Sequence, residues 1–341
     1  MSRKLDRGLI VWLLSGCFLI AVMVIIGGVT RLTHSGLSMV DWKLIIGAIP
    51  PLNEQDWIAK FEQYKQFPEY QINHYYFTLA EFKAIFFWEF LHRFLGRLIG
   101  LVFIVPFVYF FIKKRISKEL LPKLIFMMLL GTFQGFLGWF MVKSGLVKNP
   151  EVSHYRLAAH LITAFGTFAY ILWVVFGLIT QRSKQFTVAP IIKKLTIGLF
   201  VLLVIQIIYG AFVAGLKAGL IYNTFPKMGI NWIGDGATSF SPLYINLLEN
   251  KTMVQFLHRC FAWLLFFGVI ALYFVVQKKA STSKQVLAVR LLLYGVMVQF
   301  LLGMFALLYH VPVWLGVAHQ FGALILLSFM VYQLHICKVK S

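Results

Sequence analysis

The chain has 341 residues, of which 60% are hydrophobic and only 13% charged, with 34 Phe, 14 Tyr and 9 Trp. Too few polar side chains remain to cover a water-facing surface, which excludes a soluble, secreted or disordered protein and makes this an integral membrane protein. The formal charge of +20 is therefore read by position, as an orientation signal before any nucleic-acid partner, and the three cysteines exclude a disulfide framework or a thiolate metal site: Cys17 and Cys260 sit in apolar runs, Cys337 beside the C-terminus.

Crossing about 30 Å of hydrocarbon at about 1.5 Å per residue takes about 20 apolar residues, and eight runs qualify. The first, 8–29, follows a basic start like a signal peptide, yet its unbroken length and the lack of a small-residue cleavage site predict a retained helix. It begins too early for an Arg-rich organelle-targeting extension to precede it, so a bacterial cytoplasmic membrane is expected. A long connection, 30–83, rich in Trp, Tyr and Pro, predicts a structured cap. Span 2, 84–112, carries Glu89, His92, Arg93 and Arg97. A short basic link leads to span 3, 124–142, with Gln134 and Gly138, and then to span 4, 157–180, with His160. The polar stretch 181–194 marks the boundary between an N-terminal half, 1–185, and a C-terminal half, 186–341. Span 5, 195–216, a second long connection, 217–251, span 6, 252–276, with Gln255, His258 and Arg259, span 7, 291–309, with Gln299 and Gly303, and span 8, 312–336, with His319, complete the chain. Spans 1, 3, 5 and 7 contain neither charge nor histidine; each even span has a histidine near its start.

More than half of the Lys and Arg residues fall in the N-terminal tail, the links after spans 2, 4 and 6, and the C-terminal tail, offset there only by Asp6 and Glu119. Those segments are expected to face the cytoplasm, with both termini inside and the long connections outside. The tetrapeptide FLHR occurs at 90–93 and again at 256–259, and the repeat extends from Gln134, Gly138 and His160 to Gln299, Gly303 and His319 with the spacing kept to within one residue between the FLHR histidine and the glutamine. Two halves of four spans enter the membrane from the same side, so the expected fold is all-α: eight transmembrane helices as two pseudo-symmetric four-helix bundles about an axis along the membrane normal.

His92, His160, His258 and His319 are expected in one layer, roughly 5 to 12 Å below the outer interface, at about 1.5 Å per residue from the outer ends of helices running in the same direction. A lone buried histidine can simply satisfy a hydrogen bond, but an ionisable side chain in hydrocarbon is costly, and a paired, duplicated set points to function. Zinc would lack ligands with two histidines per bundle, whereas one histidine on each face of a porphyrin suits haem iron. Arg93, Arg97 and Arg259 are candidates for haem propionates, with snorkelling or an ion pair to Glu89 as the alternatives. Glu89 lies on the same face of span 2 as His92 and is replaced by Gln255 in the other half, which suggests chemistry in one half and a held cofactor in the other; an i,i+4 pair with Arg93 is compatible. Gln134 and Gln299 read as helix-packing hydrogen bonders. His34, His74, His154, His310 and His335 read as loop or interfacial residues.

With these residues in view the chain resembles the haem A synthase family along nearly its whole length. The resemblance rests on GGVTRLTHSGLSMVDW (27–42) followed by Gly47 and Pro50-Pro51, WEFLHRFLGRLIG (88–100), YRLAAHL (155–161) and GAFVAGLKAGLIYNTFPKMG (210–229). Some members carry a cysteine pair in the first outer connection; 30–83 here has none, so the chain is similar to the cysteine-free branch. The resemblance implies oxidation of the C8 methyl of haem O to the formyl of haem A, with oxygen from water. It further implies a resident haem b on His258 and His319, substrate haem O on His92 and His160, Glu89 as base or proton relay, an electron acceptor, and a haem O-making enzyme as a candidate partner. A di-haem b-type electron carrier is the alternative; a transporter would need broken spans with mid-membrane charges, which the odd spans lack.

Overall fold

The computed structural model describes residues 6–40, 49–145, 152–180 and 188–338. Trp42 and Gly47 of the first motif, the half boundary at 185–186, and the basic residues Arg3, Lys4, Arg182, Lys184 and Lys340 lie outside them. Among the described residues eight helices are long and apolar enough to cross a membrane. They are α1 (Arg7–Leu32), α3 (Leu79–Ile112), α4 (Leu121–Gly145), α5 (His154–Thr180), α6 (Pro190–Gly215), α8 (Lys251–Lys279), α9 (Ser283–Leu308) and α10 (Val313–Lys338). Two shorter helices, α2 (Glu54–Lys65) and α7 (Asn246–Glu249), belong to the long connections. The fold is all-helical, and residues such as Phe18, Leu101, Val105, Leu129 and Leu264 stand exposed along the long helices, as side chains facing acyl tails do.

Several helices start ahead of their apolar runs because polar caps lengthen them. Thr78 and Glu81 form a reciprocal capping box, so α3 begins at Leu79 rather than near residue 84 and takes Lys83 out of the first connection. Thr282 and Gln285 do the same for α9, which starts eight residues before the apolar run and absorbs Lys284 and Arg290. Pro190 opens α6 at a position where its missing N–H has no intrahelical partner to lose.

The chain divides into two compact units, Phe18–His160 and the remainder from Leu161 with the start of α1. In the first, α2 is capped by Asn53, which accepts from the Asp56 amide. It lays Phe61 and Tyr64 against Phe82, Ile85 and Phe86 of α3, and Trp57 meets Phe86 edge-on with ring centroids 5.0 Å apart. Thr30 at the end of α1 donates to the Trp88 carbonyl of α3 at 3.3 Å. In the second unit α6 packs on α8, α8 on α9, α9 on α10 and α10 on α6, closing a four-helix ring. Its interior is filled by Leu203, Val269, Leu272, Leu292, Leu324 and Met330. Close approach is set by small residues: a Cβ on Gly268 of α8 would lie 2.5 Å from Leu199 Cδ2 of α6.

Candidate functional site

Inside the C-terminal ring two imidazoles face each other. His258 of α8 and His319 of α10 have ring centroids 6.4 Å apart with their planes at 88°. An imidazole nitrogen binds a divalent metal at about 2 Å, and the ring centre lies roughly 1 Å further on, so one metal held between two rings sets the centroids about 6 Å apart. The observed spacing suits such a bridge. Each ring is seated by a glycine on a neighbouring helix: a Cβ on Gly210 of α6 would stand 3.2 Å from His258 Cε1, and one on Gly303 of α9 would stand 2.7 Å from His319 Cε1. Among the described residues no group of three His, Cys, Asp or Glu gathers into a metal site. Two imidazoles alone suit a metal that brings its other ligands with it, as porphyrin iron does.

A glutamine lies against each of these rings. The Gln299 amide nitrogen lies 3.1 Å from His319 Nδ1 and donates to the His319 carbonyl at 2.9 Å; that of Gln206 lies 3.4 Å from His258 Nε2. The side-chain oxygens of both glutamines, and His258 Nδ1, are buried without partners. An imidazole bound to iron through one nitrogen has an N–H at the other, and these amide oxygens are acceptors within the same shell. The residues present therefore fit a bis-histidine haem.

The N-terminal unit repeats the pattern. A Cβ on Gly27 of α1 would stand 2.9 Å from His92 Cε1 of α3, and one on Gly138 of α4 would stand 3.3 Å from His160 Cε1 of α5. The Gln134 amide nitrogen lies 3.2 Å from each His160 ring nitrogen. His92 on α3 and His160 on α5 belong to the same compact unit. Among the described residues, this pair and not the other has a carboxylate on the same helix face. Glu89, one turn before His92, is 3% exposed and accepts from Ser38 Oγ at 2.7 Å, the Met39 amide at 2.6 Å and Arg93 Nη2 at 2.5 Å. Arg93 also donates to the Met39 carbonyl at 2.7 Å, and Arg97 follows one turn further along α3.

The counterpart of Glu89 shows why the two halves carry different residues there. Gln255 donates to the Tyr222 carbonyl at 3.0 Å, and Arg259 donates to the carbonyls of Tyr222, Thr224 and Lys227 at 2.8, 2.8 and 3.2 Å. In each unit the residue three before the histidine and the arginine directly after it clamp a long connection. The first connection presents an N–H and a hydroxyl, which call for a carboxylate; the second presents carbonyls, which call for an amide donor.

Residues 10–331 match the cytochrome oxidase assembly protein family COX15-CtaA. The chain belongs to that family. It is 49% identical over 342 residues to the heme A synthase of Flavobacterium johnsoniae, covering 98% of both chains. It is 49% identical over 343 residues to the heme A synthase of Flavobacterium psychrophilum, covering 97% of this chain and 98% of that one. With the heme A synthase of Paramagnetospirillum magneticum it shares 43% over 344 residues, covering 98% of this chain and 95% of that one.

Within this family member the structure gathers Glu89, His92 and Arg93 in one unit and His258, His319 and Arg259 in the other. The remaining histidines are placed as follows. His74 is buried in the first connection, where Tyr64 Oη and His74 Nδ1 are 2.7 Å apart and the ring stacks on Phe77. Burial, and then the nearby His34, hold its pKa below the ordinary 6.5, which favours the neutral ring. His34 and His310 have φ of 54° and 61° at turns; His154 opens α5 beside Tyr155; and His335 is edge-on to Trp173. Gly27, Ser38 and Gly210 lie in the quoted motifs, but their contacts with His92, Glu89 and His258, and the place of Gln206 against His258, emerge only in the structure. A signal was present, because Gln134–Gly138, Gln206–Gly210 and Gln299–Gly303 share a four-residue spacing on three odd spans.

Proposed function

We propose that this protein is a haem A synthase, oxidising the C8 methyl of haem O to the formyl group of haem A. The observation that carries the reading is a pair of histidines in each half, each ring seated on a glycine, with a buried carboxylate beside one pair only. The 49% identity to named heme A synthases along the whole chain agrees with it.

His258 and His319 would hold the resident haem b, and His92 and His160 the substrate haem O. Turning a methyl into a formyl group removes two electron pairs and four protons and adds one oxygen, which is taken from water. When bound, the resident haem supplies one-electron transfer away from the substrate toward an external acceptor. Glu89 takes up protons released beside the reacting methyl: its contacts with Ser38, Met39 and Arg93 hold its side chain fixed one turn from His92. Arg93 and Arg97 lie along the same stretch of α3, suited to the substrate carboxylates, and Arg259 holds the second connection over the haem b site and offers its buried Nε to a propionate. The distribution of Lys and Arg supports a cytoplasmic-membrane location with both termini cytoplasmic and both haem sites toward the outer side, and the internal repeat supports two halves built as like bundles. A haem O-making enzyme is the partner that would deliver a substrate too apolar to travel through water.

The test is to express the chain with a source of haem O and identify extracted haems by mass. Haem A in the extract supports the synthase. Protohaem alone, with haem O present in the membrane, overturns it and leaves the di-haem electron carrier.

A further inference from the structure

One of the four histidines lacks what the other three share. On α4, α6 and α9 the residue four before the seating glycine is Gln134, Gln206 or Gln299, and its amide reaches the histidine ring. On α1 the residue four before Gly27 is Met23. Its methyl lies 3.4 Å from where a Cβ on Gly96 would stand, one turn beyond His92 on α3, so it fills the corresponding place against the helix that carries His92. A thioether is a weak acceptor and no donor. His92 Nδ1 and His258 Nδ1 are both buried without a hydrogen-bond partner, but His258 has the Gln206 amide beside its ring where His92 has Met23 on the facing helix.

A hydrogen bond to the far nitrogen of a metal-bound imidazole fixes its orientation and raises its basicity, and removing such a bond typically weakens metal binding by about 10- to 100-fold. A glutamine amide able to give this support lies beside both resident histidines, 3.1 Å from His319 Nδ1 and 3.4 Å from His258 Nε2, and in the N-terminal site beside His160. We infer that Met23 is a positioning residue that makes His92 the exchangeable ligand of the substrate haem, so that haem O enters and haem A leaves from the His92 side while haem b stays. This rests on the assignment of the substrate haem to His92 and His160. It gives a physical reason for one site to turn over its haem while its duplicate retains one: the difference lies in a single amide.

The experiment uses the full chain, purified in detergent with both haems, and follows haem transfer to excess apomyoglobin together with the electron spin resonance signal of each low-spin haem. Met23→Gln, close in length to methionine, should slow release of haem O and haem A about tenfold or more and sharpen the low-spin signal of that site; Met23→Leu should behave as wild type. Gln206→Met should make haem b leave about tenfold faster. Equal release from wild type and Met23→Gln overturns the inference, as does equal slowing by Gln and Leu, which would indicate packing alone. Should Met23→Gln fail to fold, Gln206→Met decides: faster haem b release supports the inference and unchanged release overturns it. His160→Ala separates the underlying reading. If it retains as much haem O and haem A as wild type, the assignment of the substrate site falls and the inference with it; if it loses them, only the Met23 and Gln206 variants bear on the inference.

Discussion

Replacing Glu89 by Gln is the sharpest test of the clamp beside His92. The substitution preserves size but removes the charge that Arg93 faces, and it sets an NH2 where one oxygen accepted from the Met39 amide and Ser38 hydroxyl. The side chains of Arg93 and Glu89 are 7% and 3% exposed, so screening by water is slight. Breaking a buried ion pair by removing one partner costs about 3 to 5 kcal/mol. Arg93 still holds the Met39 carbonyl, which argues for the lower end, about 3 kcal/mol, or roughly a hundredfold in an opening equilibrium at 1.4 kcal/mol per decade. Hydrogen exchange read by mass spectrometry should show a peptide containing residues 33–40 exchanging about a hundredfold faster in Glu89→Gln. A peptide containing Asn223 in the other unit should be unchanged. Haem A formation should be lost and haem b retained. Exchange within a few-fold of wild type, or haem A at the normal rate, would refute both the clamp and the proton-acceptor role.

Gly303→Ala, whose Cβ would lie 2.7 Å from His319, should displace that ring and abolish the resident low-spin absorption band, whereas Gly131→Ala, with nothing within 4 Å, should leave the spectrum intact. Arg259→Gln should free the carbonyls of Tyr222, Thr224 and Lys227, raising protease cleavage in that connection severalfold while the helices stay folded. In the first connection, the lowered pKa of His74 means that its protonation opposes the folded cap. The stability it contributes is present above about pH 6.5 and lost as pH falls from there through the lowered folded value. Exchange of peptides spanning 57–82, taken relative to the intrinsic amide rate at each pH, should therefore rise between pH 7.5 and pH 5.5, and in His74→Phe that rise should vanish.

The eight spans are legible because a membrane imposes length and hydropathy that few sequences meet by chance. The histidines are legible because, near the starts of those runs, the flanking arginines and Glu89 are the other charged side chains. Helix starts are less so: Thr78 with Glu81 and Thr282 with Gln285 carry α3 and α9 beyond their apolar runs, and hydropathy does not register a cap. Glu89 and Gln255 stand out in the sequence as a difference between halves. Its partner-dependent cause, an N–H on one loop and a carbonyl on the other, depends on contacts between residues about fifty and thirty positions apart. Gln206 escaped notice because an uncharged span reads as passive filling, and only the ring beside it gives its amide a purpose. The α2 cap was expected only as structured, although Asn53 ahead of its first turn is a helix-start signal.

The most direct measurement is the identity and number of haems retained by purified paired variants. His258→Ala with His319→Ala should lose haem b and keep only haem O, while His92→Ala with His160→Ala should keep haem b alone. Loss of the same haem from both double variants, or retention of both haems by either, contradicts separate sites built on the two histidine pairs.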